Sequence, residues 1–471
     1  MTVTIVLTGL LLSALLQTTE PVDPGALESF RQGEELIGTS QENSEQQAEF
    51  FEKAVELQPD FAVARYNLAL VYINQERTQQ AADQLEALIE LDETDPRSYL
   101  LRARLRFEAD QLDPAASDLT RALELDSENY QAWQFMGRIY YQKQQYGEAV
   151  KAFERVLELN PGLLAASFDL ALSQQGLGHN DEAVRSYRKF LLAFPDDFNA
   201  HYLLGLVYQN EGEDDMALEQ FYLAESIDPN HQELSQELGY LLLDRGDLEE
   251  AKQRLLRADS GSAANLGNLG VIAKQQGDPV QAENYLRRGL ELEPENATLW
   301  IQMGDVLSTL QKEREAVEAY RRALRYKPRD FGLLFNLGTL LSNLDEMKQA
   351  RRFLEQAVEL KPDDGPSHYN LALVLDEGKD MDQAQIHYLK ALEYGIDSGG
   401  AHAHFRLTFM WARQGAREQA LQHLQQAFEI EAETYVRLVA DELLNISSEL
   451  DSIRYTDEFN QLLEQYWSRM Q

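Results

Sequence analysis

One alanine keeps time along this chain. Ala81, Ala115, Ala149, Ala183, Ala217 and Ala251 stand 34 residues apart, and Ala282, Ala316, Ala350, Ala384 and Ala420 follow at intervals of 31, 34, 34, 34 and 36. A sequence that copies itself on such a period builds one small unit many times, and no copy can bury its apolar stripe alone. Neighbouring copies must therefore stack.

Other positions keep the same phase. Twelve residues before the alanine comes a small residue: Ala69, Ala103, Gly137, Ala171, Gly205, Gly239, Gly270, Gly304, Gly338 and Ala372. Four residues after it comes a large apolar one, as in Phe153, Tyr187, Phe221, Leu255, Leu286, Tyr320, Leu354, Tyr388 and Leu424. Proline closes many copies, at Pro59, Pro161, Pro195, Pro229, Pro294, Pro328 and Pro362, because it cannot donate the next helical hydrogen bond. Apolar spacings of three and four, as in Trp133, Met136, Gly137, Tyr140 and then Ala149, Phe153, Val156, predict two helices per copy. Small residues on both helices let them approach closely, with the large residue filling the remaining gap.

These residues resemble the tetratricopeptide repeat family: a 34-residue period, Trp133 or Trp300 followed by Met-Gly, a tyrosine such as Tyr140 or Tyr208, then Ala, Phe, Ala and Pro. The resemblance covers residues 26–434 as twelve copies. It implies an all-α, right-handed superhelical solenoid whose concave groove, lined by the first helices, holds a partner peptide. The expected organisation is a signal-like or anchor segment over 1–20, an N-terminal half of the solenoid over 21–262, a C-terminal half over 263–434 and capping helices over 435–471. The stretches Tyr435 to Leu444 and Asp457 to Arg469 are the helices expected in that cap. The copy from Gln232 to Ser262 is three residues short and ends in Asp259-Ser260-Gly261-Ser262 instead of a proline turn, which makes it the expected joint between halves. In the copy from Pro96, Arg102 and Arg106 occupy apolar positions, so they should snorkel outward or meet carboxylates such as Glu108 or Asp110.

The resemblance also implies where a partner sits, since the sixth residue of each first helix faces the groove in this family. Four successive copies supply Asn268, Gln302, Asn336 and Asn370 there, with Phe335, Tyr369 and Phe405 one residue before that position. A primary amide donates to a peptide carbonyl and accepts from its N–H at once, so a row of amides reads an extended backbone. A second, more aromatic candidate groove comprises Tyr66, Asn67, Phe107, Phe135, Tyr141, Phe168, Tyr202 and Tyr240, with helix packing as the competing explanation. Arg321, Arg322, Arg325, Lys327, Arg329, Lys348, Arg351 and Arg352 form a basic patch expected on the convex side, neutralised by acids such as Glu313, Glu315 and Glu318 or docking an acidic partner or anionic lipid. The residues that would grip a chaperone's C-terminal carboxylate in some family members are not matched.

Composition limits the function further. With 80 acidic against 42 basic residues, the formal charge of -38 repels phosphate backbones and excludes nucleic acid as the expected partner. There is no cysteine, hence no disulfide or thiolate chemistry. The run Val3 to Leu16 is short for a membrane span and fits a secretory signal, although no Lys or Arg precedes it and no Ala-x-Ala site follows. A misplaced start or an uncleaved interfacial anchor are the alternatives. An exported or cell-envelope location is expected, a cytoplasmic one the alternative, with membrane contact only through this segment. The residues outside the repeats are too few for a catalytic domain, and no phosphate loop or zinc-hydrolase motif occurs, so no enzyme activity, cofactor or metal site is expected. His368, His402 and His404 are the nearest set of histidines, and residues two apart on a helix diverge. The expected function is a scaffold that binds a peptide or partner protein; the alternative is a substrate-presenting or regulatory subunit of a separately encoded enzyme or envelope assembly machine.

Overall fold

A computed structural model describes residues 22–258, 261–443 and 449–470. The segment 1–20, the turn residues Asp259 and Ser260, and Leu444 lie outside the described residues. Among those described there are 25 helices and no strand, an all-α repeat solenoid.

Twenty-four helical segments pair into twelve repeats. In the first six repeats the pairs are Pro24–Glu34 with Glu45–Leu57, Ala62–Asn74 with Thr78–Leu91, Pro96–Glu108 with Leu112–Leu125, Tyr130–Gln142 with Tyr146–Leu159, Ala166–Gly176 with Asn180–Leu191, and Phe198–Asn210 with Asp214–Ile227. In the next five they are Gln232–Arg245 with Leu248–Arg257, Ala263–Gln275 with Pro279–Leu292, Ala297–Thr309 with Glu313–Tyr326, Phe331–Asn343 with Met347–Leu360, and Gly365–Glu377 with Met381–Tyr394. Repeat 12 pairs Gly400–Arg413 with the first part of Arg417–Glu442, a helix interrupted at Glu431, where φ is -147° and ψ 73°. The described residues divide into two compact halves, one ending at Leu234 and the other beginning at Ser235.

Every alanine of the ladder is fully buried. The small residue of the first helix lies directly under the large residue that follows the alanine. A Cβ added at Gly205 would stand 2.5 Å from the Phe221 ring, and one at Gly304 2.5 Å from Tyr320. The missing side chain is what lets the ring sit down on the backbone, so the glycine is fixed by packing and not by backbone conformation.

Most first helices start on side-chain caps: Asn129 Oδ1 accepts from the Ala132 amide at 3.0 Å, Asp197 Oδ1 from Ala200 at 2.9 Å and Asp330 Oδ1 from Leu333 at 2.9 Å. Between the two helices of each repeat the chain turns through a left-handed residue, five before the alanine. It is Gly178, Gly212, Gly246, Gly277 or Gly415 in five repeats, and Asn43, Glu76, Asp110, Gln144, Gln311, Asp345 or Lys379 in seven. That assignment also identifies Ala48, fully buried, as the alanine of repeat 1.

A second recurring contact ties several of the first helices to the turn before them. The residue sixteen before the alanine reaches the carbonyl six residues upstream: Arg65 Nε donates to Pro59 O at 2.6 Å, Trp133 Nε1 to Ser127 O at 3.0 Å and Trp300 Nε1 to Pro294 O at 2.7 Å. His201 Nε2 and His368 Nε2 meet Pro195 O and Pro362 O at 2.9 and 3.0 Å. Carbonyls at a proline-ended helix lack an intrahelical donor, and these side chains supply one.

Arg102 and Arg106 do find a carboxylate, but it is neither Glu108 nor Asp110. Both guanidinium groups converge on Asp118, at 2.7 Å from Oδ1 and 2.7 Å from Oδ2, and Arg102 Nε adds a bond of 2.9 Å. Asp118 is only 4% exposed, so the pair of cations compensates a nearly buried charge. At the other end, the C-terminal core joins Phe405, Leu424 and Phe428 of repeat 12 to Val436 and Val439 of the helical segment after Glu431, to Leu450 and Ile453 of the turn before the last helix, and to Phe459 and Tyr466 of that helix, Asp457–Met470. After Glu431 the described residues hold two helical stretches, the first ending at Glu442.

Candidate functional site

The amide positions lie on first helices of the C-terminal half. Asn268, Gln302, Asn336 and Asn370 are all half-buried, each fourteen residues before its alanine. Asn370 Nδ2 donates to Thr339 Oγ1 at 2.9 Å, which joins the first helix of repeat 11 to that of repeat 10. The Tyr320 hydroxyl donates to Asp305 Oδ1 at 2.5 Å and also interacts with Ser308 and Asn336. Burial first, and the Asp305 carboxylate second, push this phenol well above its ordinary pKa, so it remains a donor throughout the physiological range. The oxygen of Gln302 is buried beside Gly267 and has no hydrogen-bond partner. Phe335 stacks with Phe331, ring centroids 6.1 Å apart. Tyr369 is half-buried, its hydroxyl 3.2 Å from His402 Nδ1. Phe405 is buried and packs on Phe409 and Tyr435, each 4.9 Å away, which makes it a core side chain.

The aromatic candidates of the N-terminal half are half-buried, and each is engaged with its neighbours. Phe107 and Phe135 meet edge to face at 5.7 Å; Phe168 contacts Tyr187 and Phe190; Tyr202 lies against Phe198, Phe221 and His231. Tyr141 packs on Tyr146, Arg97 lies over the Tyr66 ring, and Asn67 Nδ2 turns back to its own helix at Val63 O. Tyr240 belongs to the C-terminal half, where its hydroxyl donates to Asn265 Oδ1 at 2.8 Å. The basic residues sit on second helices or the turns after them. Arg321 pairs with Glu318, and Arg351 with Glu355 and Asp380. Arg322 lies 4.6 Å over Trp300 and Arg352 6.0 Å over Phe353, while Arg325, Lys327, Arg329 and Lys348 are exposed.

Sequence models for known families cover most of this architecture. One described as the tetratricopeptide repeat protein 21 C-terminal ARM domain matches residues 10–199, and tetratricopeptide repeat models match 168–231, 237–297, 310–375 and 365–394. The chain is a tetratricopeptide repeat protein. Among characterised relatives, the type IV pilus assembly protein PilF of Pseudomonas aeruginosa is 31% identical over 106 residues, which are 21% of this chain and 41% of that protein. The cellulose synthase operon protein C of Komagataeibacter xylinus is 31% identical over 75 residues, 15% of this chain and 6% of that protein. The tetratricopeptide repeat chain thus spans less than half of either relative. The solved structure of Pseudomonas aeruginosa pilF is 26% identical, covers 42% of this chain and 92% of its own, and has a TM-score of 0.37.

In this tetratricopeptide repeat array the amide row ends in a cation that residue types alone did not reveal. Arg406, fourteen before Ala420, occupies in repeat 12 the position of Asn370 in repeat 11. It binds Asp376 through Nε and Nη2 at 2.6 and 2.8 Å, and Asp376 also accepts from the Tyr388 hydroxyl at 3.2 Å. The signal was its register against the alanine ladder. Beside it opens a pocket of about 320 Å³ lined by Arg406, Phe409, Met410, Arg413, Lys379 and Asp382, among others. Among the described residues no cluster of three or more metal-ligating side chains occurs, and no helix is long and apolar enough to cross a membrane.

Proposed function

We propose that the protein is a non-catalytic binding scaffold and that its C-terminal half holds an extended peptide along the amide row. The observation that carries this reading is the recurrence of Asn268, Gln302, Asn336 and Asn370, half-buried, at one register of four successive first helices. Half-burial strengthens an amide's hydrogen bonds without closing it off, and main-chain recognition tolerates variation in the partner's side chains. Phe335 and Tyr369 add apolar anchorage on the same helices. The strong negative charge of the chain selects a peptide or basic protein over nucleic acid.

Partner capture by the wild type and by the Asn336→Ala, Asn370→Ala double variant tests the site, with circular dichroism to check that the variant is folded. Loss of at least one wild-type partner is expected; identical partner sets from a folded variant would remove the amide row from the binding surface. A second reading, in which the array presents substrates within an assembly machine, is favoured by the relative named a type IV pilus assembly protein. A cell-envelope location is part of this proposal, supported by the apolar run Val3 to Leu16. Fractionation of cells expressing the chain with and without residues 1–20 checks this: cytosolic recovery of both forms would overturn it.

A further inference from the structure

In four repeats the residue three after the alanine meets the residue sixteen before it, across the two helices of one repeat. In repeat 2 this contact joins Arg65 to Gln84 at 2.8 Å, and in repeat 6 His201 to Gln220 at 2.9 Å. In repeats 11 and 12 both partners are histidine. His368 Nδ1 lies 2.7 Å from His387 Nδ1, and His404 Nδ1 lies 2.8 Å from His423 Nδ1. The ring centroids are 4.9 and 5.0 Å apart, with planes inclined by 29° and 38°. Each centroid separation exceeds the nitrogen separation by about two ring radii, so the rings meet edge to edge with their Nδ1 atoms opposed along one line.

Opposed nitrogens at this distance fit a proton. A tetrahedral metal ion, with bonds of about 2.0–2.1 Å, would need nitrogens about 3.3 Å apart and lone pairs converging from the side. The proton count of the first dyad follows from its surroundings. His368 Nε2 faces the Pro362 carbonyl and must carry hydrogen there, so neutral His368 presents a bare lone pair at Nδ1 and His387 holds its hydrogen on Nδ1. One added proton goes to His387 Nε2, leaving an imidazolium that still donates to His368. A further proton can enter only at His368 Nδ1, where two N–H groups would confront each other and the contact must break.

We propose that these two dyads form a proton-operated clasp in repeats 11 and 12: each keeps its helices together while it holds at most one added proton, and acid that supplies a second parts the helices. His368 is fully buried and the other three rings are half-buried. Around the first dyad, Asp364 and Lys390 belong to its own repeat, Glu355 and Arg351 to the second helix of repeat 10, and the Tyr394 ring lies 5.7 Å from His368. Around the second, burial and the paired ring dominate among the described residues. Burial first and the facing histidine second hold both His387 and His423 down at about 4. A histidine held below its unfolded pKa of about 6.5 contributes stability that is complete above that pH and is lost as pH falls toward 4.

Hydrogen exchange of the full-length chain at pH 7 and pH 5, corrected for the intrinsic pH dependence of amide exchange, tests the clasp. Protection of residues 381–394 and 417–430 should fall roughly tenfold more than that of residues 313–326 and 347–360. The His387→Gln, His423→Gln variant, which copies the His201–Gln220 pair, should abolish the difference. Equal loss in both proteins, or no excess loss in the wild type, would overturn the proposal. If the variant does not fold at pH 7, the wild-type imidazole titration followed by NMR decides: coupled steps with the second near 4 support the clasp, and four independent titrations near 6.5 refute it.

Discussion

Asp118 carries two guanidinium groups while almost cut off from water. Replacing it with asparagine leaves Arg102 and Arg106 close together without a counter-charge, and the expected cost is about 2–3 kcal/mol in urea-induced unfolding. A change below about 0.5 kcal/mol would mean that the arginines relax outward without loss. The need for a carboxylate was legible from two arginines on apolar positions, whereas its identity was not. Sequence proximity favours Glu108 and Asp110, but the helical hairpin folds the second helix back and puts Asp118 opposite Arg102. Register against the ladder would have found it, since Asp118 occupies the slot of Gln84 and Gln220, three after the alanine. The histidine dyads escaped notice for the same reason: His387 and His423 lie 19 residues from their partners, so proximity on one helix was the wrong criterion.

Helix pairs were legible because packing writes its demands directly into residue size, as Gly205 under Phe221 and Gly304 under Tyr320 show. The turns were not, because the left-handed position accepts Glu76, Gln144 or Lys379 as well as glycine. Each non-glycine there bears a conformational penalty of about 1 kcal/mol that the flanking helices outweigh. Lys379→Gly should therefore raise stability by about 0.5–1 kcal/mol, and Gly212→Ala should lower it by about 1 kcal/mol, read from denaturant midpoints. Opposite signs would show that side-chain contacts and not backbone conformation govern the turn. For the candidate site, the ladder made the register of the amide row plain from residue 268 to 370, but not the ending at Arg406, where the residue type changes and only the position persists.

At the scale of the chain, a net charge of -38 means that many carboxylates repel one another across the surface. Local pairs such as Lys151–Glu148 and Arg437–Glu433 are substantially exposed and relieve little of this. Raising ionic strength from about 0.01 to 0.15 M shortens the screening length from about 30 to 8 Å, and Tm should rise by about 2–5 °C in a thermal scan at pH 7. A fall would show that attractive pairs outweigh the repulsion. The carbonyl contact before several of the first helices has a different consequence for the chain as a whole. Donor and acceptor are always six positions apart along one strand of sequence, from Arg65 and Pro59 to His368 and Pro362. A duplicated block of DNA encoding a whole period brings its own seam with it, so an array of this kind can lengthen by copying without inventing a new joint.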